Sequence, residues 1–218
     1  MFEQKIILMF LEGARDTLYM TFVSAFFAYM LGIPMALLLY ITSKGGLAEC
    51  RPIYAVLDFI INILRSIPFI ILMLLIFPLT RAIAGKSYGP TATIVPLVVA
   101  AAPYIARMVE SSLLEIEKDV IEAALSMGAS IWQIIYKVLL PEAAPALVVG
   151  ATISIGTIVS YSAMAGAIGG GGLGDIAIRY GYHRYQTDIM VVTVIMLIIL
   201  VQFIQLIGMN LAKCINKK

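Results

Sequence analysis

The sequence predicts an all-α integral membrane protein, and three observations carry that reading. Apolar residues make up 61% of the 218-residue chain and charged residues only 13%, a balance far outside soluble usage. Uncharged runs recur at 18–43, 87–106, 143–174 and 189–212, and each is long enough for a bilayer crossing of about 20 residues. The runs lack the short apolar–polar alternation of porin strands, and in hydrocarbon the backbone must satisfy its own hydrogen bonds, so helices are expected. A further run, 59–80, qualifies if Arg65 is admitted, which makes five spans.

Taken in order, residues 5–19 place Ile6, Ile7, Met9, Phe10, Gly13 and Thr17 along one helical side, with Glu12, Arg15 and Asp16 elsewhere. They read either as a short interfacial helix or as the start of the first span. The acids Glu3, Glu12 and Asp16 and the lack of a small-residue cleavage site argue against a removable signal peptide. Pro34, Pro68, Pro96 and Pro103 each remove a hydrogen bond within or near the end of a span, so kinks are predicted there, serving either packing or a widened pathway.

Arg65 is the base enclosed by a span, where a charge snorkels, pairs or faces a cavity. Asp58, about two turns earlier, shares its side but is far for direct contact. Arg107 and Glu110 are three apart and can pair along one face. In the fourth span Gly150 and Ser154, and Gly156 and Ser160, place small groups one turn apart, which either lets another helix approach closely or lines a cavity. The run from Ala143 is too long for one upright helix, so its glycine-rich end is expected to leave the membrane or fold back.

The pattern Gly169-x-Gly171-x-x-Gly174 satisfies a dinucleotide fingerprint but follows a membrane helix rather than a strand. Asp175-Ile176 stands where a Walker loop has Lys-Ser/Thr, so the segment reads as a flexible or tightly turned outer element beside a pathway. His183 lies alone among Tyr180, Tyr182 and Tyr185 and reads as interfacial. Cys50 and Cys214 match neither metal nor redox spacing. One histidine and no nucleophile–base arrangement make the chain no enzyme. A net charge of +2 without a dense basic patch gives no nucleic-acid partner.

Five helices form a thin wall around any pathway, so a homodimer with the pathway on its axis is the economical arrangement. An odd number of spans puts the termini on opposite sides. With the N-terminus outside, eight bases face inward (Lys44, Arg51, Arg107, Lys118, Lys137, Lys213, Lys217, Lys218) against six outward (Lys5, Arg15, Arg81, Lys86, Arg179, Arg184). The positive-inside rule therefore favours N-outside and C-inside.

The segment at about 111–142 carries Glu115, Glu117, Lys118, Asp119, Glu122 and Lys137, preceded by Glu110, and must face water. Val120 to Met127 contains strong helix formers, and Gly128 is placed to end the helix. Ser130 can cap a second helix over 131–140, with Ile131, Ile134, Ile135, Val138 and Leu139 at helical spacing, and Pro141 is expected to stop it. On pattern alone this pair is either a connection or a presented docking element.

Glu122-Ala123-Ala124, three residues, Gly128, nine residues, then Val138-Leu139-Leu140-Pro141 resembles the coupling loop of bacterial ABC import permeases, with Val138 where isoleucine is common. The stretches Asn62 to Ile70, Ala101 to Glu110 and Tyr161 to Gly169 resemble the methionine-uptake branch of that family. The resemblance implies a permease of the bacterial inner membrane that moves methionine, in the L and possibly the D form, by alternating access. It implies a second copy of this chain, two ATP-binding subunits docked at Glu122, Ala123, Ala124, Gly128 and Pro141, and an extracytoplasmic methionine-binding lipoprotein. ATP and Mg belong to the partner subunits, and no cofactor is expected on this chain. Ser160, Tyr161, Ser162 and Met164 are candidates to line the pathway, with Arg65 and Pro68. Another small amino acid, a sulfur compound or a scaffold role without translocation are the alternatives. A secondary carrier would call for acids at midspan.

Overall fold

The computed structural model describes residues 2–215, so Lys217 and Lys218 of the charge balance lie outside the described residues. Among the described residues the chain forms helices and turns, with no strand. Helix α1, Phe2–Thr42, is unbroken over 41 residues. Residues 5–19 are therefore the beginning of the first span's helix rather than a separate interfacial element, and Pro34 is carried inside it.

Helix α1 packs most extensively on α5, Pro90–Leu114. The reason is legible in residue size: Met20, Ala28, Ala36 and Leu39 are buried on α1, and Leu97, Ala101, Ile105 and Val109 on α5 recur every fourth position. Gly32 completes the contact, since a Cβ there would lie 2.8 Å from Ile105 Cγ2. Small side chains let the two backbones approach, which is how helices associate in lipid. Pro96 and Pro103 sit inside α5 without interrupting it.

The turn after α1 is fixed by Glu49, whose carboxylate accepts from Gly45 N–H and from Arg51 Nε, each at 3.0 Å. The Gly45 amide first, then Arg51, hold the Glu49 carboxyl below the usual carboxylate range. Helix α2, Arg51–Ser66, follows and buries little beyond Ile61. Its polar residues Arg51, Asp58, Asn62 and Arg65 form a stripe at spacings of three, four and seven.

The run 59–80 is not one continuous helix. It is not kinked but broken: Ile67 is extended, and α3, Phe69–Leu75, leaves at 105° to α2. Pro68 disfavours helical geometry at Ile67, and here, unlike at Pro34, Pro96 and Pro103, the helix ends before it. Four helices are long and apolar enough to cross a bilayer, and the bent pair of α2 and α3 makes a fifth if counted as one span. Helix α4, Phe77–Ala84, leads to α5 and ends on Gly85 at φ +73°.

After α5 come α6, Lys118–Ser126, and α7, Ile131–Ile134, which continues through a π-helical turn, Ile135–Leu139, into α8, Leu140–Gly166. The chain then folds back, as its length required. It turns over 167–171 and returns as α9, Gly172–Ile176, extended by a π-helical stretch, Ala177–Tyr182. The glycine run is tightly turned rather than flexible, because Thr17 Oγ1 accepts the Leu173 N–H at 2.8 Å and Gly174 sits against the Ala163 backbone. Tyr185, at φ +56°, reverses the chain into α10, Thr187–Ile215. Helix α10 lies beside α8 and turns Ile195, Ile198, Ile199 and Phe203 outward, the face a lipid-exposed helix presents.

Candidate functional site

Helix α6 buries Ile121 and Ala124 and leaves Glu122 and Ala123 exposed. It ends in a complete left-handed cap: Gly128 N–H donates to Leu125 O at 2.9 Å, and Ala129 N–H to Ala124 O at 3.1 Å. Those two bonds satisfy carbonyls that the helix end would orphan, and they need a residue that accepts positive φ. Gly128 supplies it at φ +78°, with nothing within 4 Å of where a Cβ would point. Its side-chain vector is open space.

Ser130 begins α7 with a reciprocal capping box: its hydroxyl accepts from Gln133 N–H at 3.4 Å, and Gln133 Oε1 accepts from Ser130 N–H at 2.8 Å. Beyond it Trp132 and Tyr136 stack at 6.2 Å between centroids, and both face solvent. Met127, 82% exposed, adds a further exposed apolar side chain to the same segment, which the motif alone does not reveal. The available signal was the chain's one tryptophan falling in a segment that cannot lie in lipid.

Pro141 does not stop the second helix, contrary to the sequence expectation. The Leu140 N–H donates to Ile135 O, five residues back, and the helix continues as α8. A proline ring crowds the carbonyl four residues earlier, and the wider π turn directly before Pro141 is one way to relieve that crowding. The consequence is mechanical, since α7 and α8 form one continuous helical rod from the water-facing loop into the membrane.

The charges inside the bundle are also rearranged relative to the sequence reading. Arg65 is exposed on α2 and makes no ion pair among the described residues. Asp58 instead pairs with Arg107 on α5, which also binds Glu110 at 2.7 Å and Asn62 Oδ1 at 3.3 Å. Asn62 Nδ2 donates to Asp58 Oδ2 at 3.0 Å and closes the network. The Arg107–Glu110 pair expected along one helix is present, with the Glu110 side chain only 5% exposed, and Asp58 extends it into a contact between two helices. One guanidinium serves both carboxylates, so its loss would leave the buried Glu110 and the part-buried Asp58 without their cation.

The six candidate pathway residues do not form one surface. Ser162 is buried and donates to Val159 O at 2.8 Å. Tyr161 stacks on Phe69 of α3 at 4.8 Å, interplanar angle 3°, just past the exposed Pro68. Ser160 and Met164 are exposed, in line with Ile153 and Thr157 on the open face of α8. Ser160 also borders a cleft of about 410 Å³ between α8 and α10, with Gln202 opposite. Lower on α8 the small residues serve packing: Gly150 faces Met108, and the Ser154 hydroxyl donates to Gly150 O at 2.9 Å. Among the described residues no group of three His, Cys, Asp or Glu is placed to hold a metal ion.

The chain is 51% identical over 208 residues to the probable D-methionine transport system permease protein MetI of Vibrio cholerae, covering 95% of this chain and 92% of that one. It is 54% identical over 155 residues to D-methionine transport system permease protein MetI of Escherichia coli, covering 71% of each. Its fold superposes on a chain of the MetNI methionine ABC transporter in an inward-facing conformation with a TM-score of 0.96 at 48% identity, covering 98% of this chain and 99% of that one. An amino acid ABC transporter crystallised with histidines shares the fold at a TM-score of 0.81 and 18% identity, covering 97% of this chain and 96% of that one. Residues 28–218 match the family model of the binding-protein-dependent transport system inner membrane component, and the chain belongs to that family.

Proposed function

We propose that this chain is the membrane-spanning subunit of an ATP-driven importer that takes up methionine, in the L and also the D form. As a family member with several long apolar helices, it is a multi-pass, non-catalytic protein of the bacterial inner membrane. The observation that carries the mechanism is the rod formed by α7, the π turn and α8, which joins a water-facing docking surface to the helix bearing Ser160 and Met164.

In this reading α2 and α3 together form the fifth span, the N-terminus lies outside, and the loop at 111–142 lies in the cytoplasm. Two copies of the chain pair with two ATP-binding subunits, which hold ATP and Mg, and with an extracytoplasmic methionine-binding lipoprotein. Glu122, Ala123 and Gly128 contact the ATP-binding subunit, with Trp132 and Tyr136 widening the contact, while the buried Ala124 of the same motif seats α6 on the protein behind it. Pro141 acts from within the rod rather than by touching the partner. Closure of the ATP-binding subunits displaces the α6–α7 surface, and α8 tilts because no flexible joint intervenes. Ser160 and Met164 face the dimer axis, where a thioether meets an apolar contact and a zwitterion a hydroxyl. Tyr161 on Phe69, beside Pro68, ties the broken span to the same helix, so α3 moves with α8; Ser162 supports the helix from behind, and Arg65 lines the inward opening.

The test is uptake into vesicles carrying the permease, its ATP-binding partner and the binding protein. Labelled methionine accumulates only with ATP, and unlabelled methionine competes while other small amino acids do not. Assembly and ATP hydrolysis without methionine accumulation would contradict the substrate assignment.

A further inference from the structure

Where α1 begins, it forms a cleft of about 460 Å³ with the end of the π-helical stretch after α9 and the start of α10. The lining is divided by chemistry. Lys5, Arg184 and Gln186 supply donors, while Leu8, Met9 and Ile189 supply apolar contact. The apolar lining continues with Ile7, Leu8 and Leu11, each more than half exposed along the outside of α1. A surface of that kind is at ease only against acyl chains.

The charge in the cleft is unbalanced. Glu12 is the one carboxylate in the lining, against two cations. Neither Lys5 nor Arg184 makes an ion pair among the described residues, whereas the nearby Arg179 is already held by Asp175. The Arg184 guanidinium lies 4.6 Å from the centre of the Tyr180 ring, which orients it without neutralising it. Tyr182 and Tyr185 stand exposed beside it, the side chains that mark the level of lipid headgroups.

We propose that this cleft binds the anionic headgroup of a phospholipid, with the phosphate between Lys5 and Arg184 and an acyl chain along Leu8 and Ile189. The position fits, because α1 and α10, both long and apolar enough to cross a bilayer, begin beside this cleft, and basic residues near such helix ends attract anionic headgroups. Gln186 donates to the phosphate or glycerol oxygens, and the rigid Tyr180 ring limits how far Arg184 can withdraw. The inference needs only that the helices span a bilayer, so its failure would leave the transport reading untouched.

The test uses the full-length protein in phosphatidylcholine nanodiscs, titrated with phosphatidylglycerol and read by native mass spectrometry as phosphatidylglycerol retained per protomer. A basic residue near a lipid surface strengthens binding about fivefold, so the Lys5→Gln, Arg184→Gln double variant retains phosphatidylglycerol about thirtyfold more weakly. Glu12→Gln binds it more tightly than the unaltered protein, a gain that misfolding cannot produce. Unchanged retention in the double variant, or equal retention of phosphatidylcholine, overturns the site. Displacement by equimolar inorganic phosphate makes it a free-phosphate site and overturns the lipid assignment. Displacement by the purified binding protein makes it a protein contact and overturns the lipid assignment equally.

Discussion

The rod formed by α7 and α8 is flanked by glycine at both ends, yet for opposite reasons. At the far end Gly166, Gly172 and Gly174 are locked by neighbours: a Cβ on Gly172 would lie 2.6 Å from Thr17 Oγ1, and one on Gly174 would run into the Ala163 backbone. At the loop end Gly128 also holds positive φ, but nothing in the chain lies within 4 Å of its missing Cβ. The first set is explained by the protomer alone. The second is explained only in part, by its left-handed cap, and the open space over it is where a partner surface is expected.

That contrast sets the order of expected effects. Gly174→Val forces a side chain into the α8 backbone and should cost about 3 kcal/mol, read as a large drop in melting midpoint or as loss of folded protein in detergent. A variant that melts normally would show that the return of α9 onto α8 is loose. Between α2 and α5, Arg107→Leu strands the Asp58 and Glu110 carboxylates without their shared cation. Removing one partner of a buried pair costs about 3 kcal/mol, somewhat less here because Asp58 is about one-third exposed. Adding Asp58→Asn and Glu110→Gln to it should restore most of the loss.

Gly128→Leu keeps its backbone conformation only by holding a bulky residue at positive φ, at about 1–2 kcal/mol. Its melting shift should be modest and its transport defect severe, with Gly128→Asn, which tolerates that conformation, intermediate in both. Equal losses of stability and transport would mean that the loop end, like the far end, is explained by internal packing. The smallest change is Glu122→Ala: exposed ion pairs contribute less than about 1 kcal/mol, so stability stays level and uptake falls partially.

The elements set by local chemistry were legible in advance. The uncharged runs placed the long helices, Ser130 announced a cap, and Gly128 announced a helix end, because each depends on residues within a few positions. Three features depended on distant partners or on geometry that periodicity does not encode. Pro141 reads as a stop, yet the helix runs on through it directly after the π turn over Ile135–Leu139. The span at 59–80 reads as continuous because hydropathy does not register that the helix ends before Pro68. Asp58 reads as sharing a side with Arg65 but too far for contact, and the cation that does reach it comes from α5, 49 residues away. The open face of Ser160 and Met164, separated from the buried Ser162, follows from the ordinary turn of a helix once its packed side is known.

The coupling role of the loop is tested most directly by ATP-driven methionine uptake in vesicles containing the permease, its ATP-binding partner and the binding protein, comparing the unaltered chain with Gly128→Leu at matched insertion. The unaltered complex should accumulate methionine and raise its hydrolysis when the loaded binding protein is added. Gly128→Leu should insert and fold yet show neither response. Uptake and stimulated hydrolysis at the unaltered rate in that variant would contradict the loop as the point where ATP-driven motion enters the membrane.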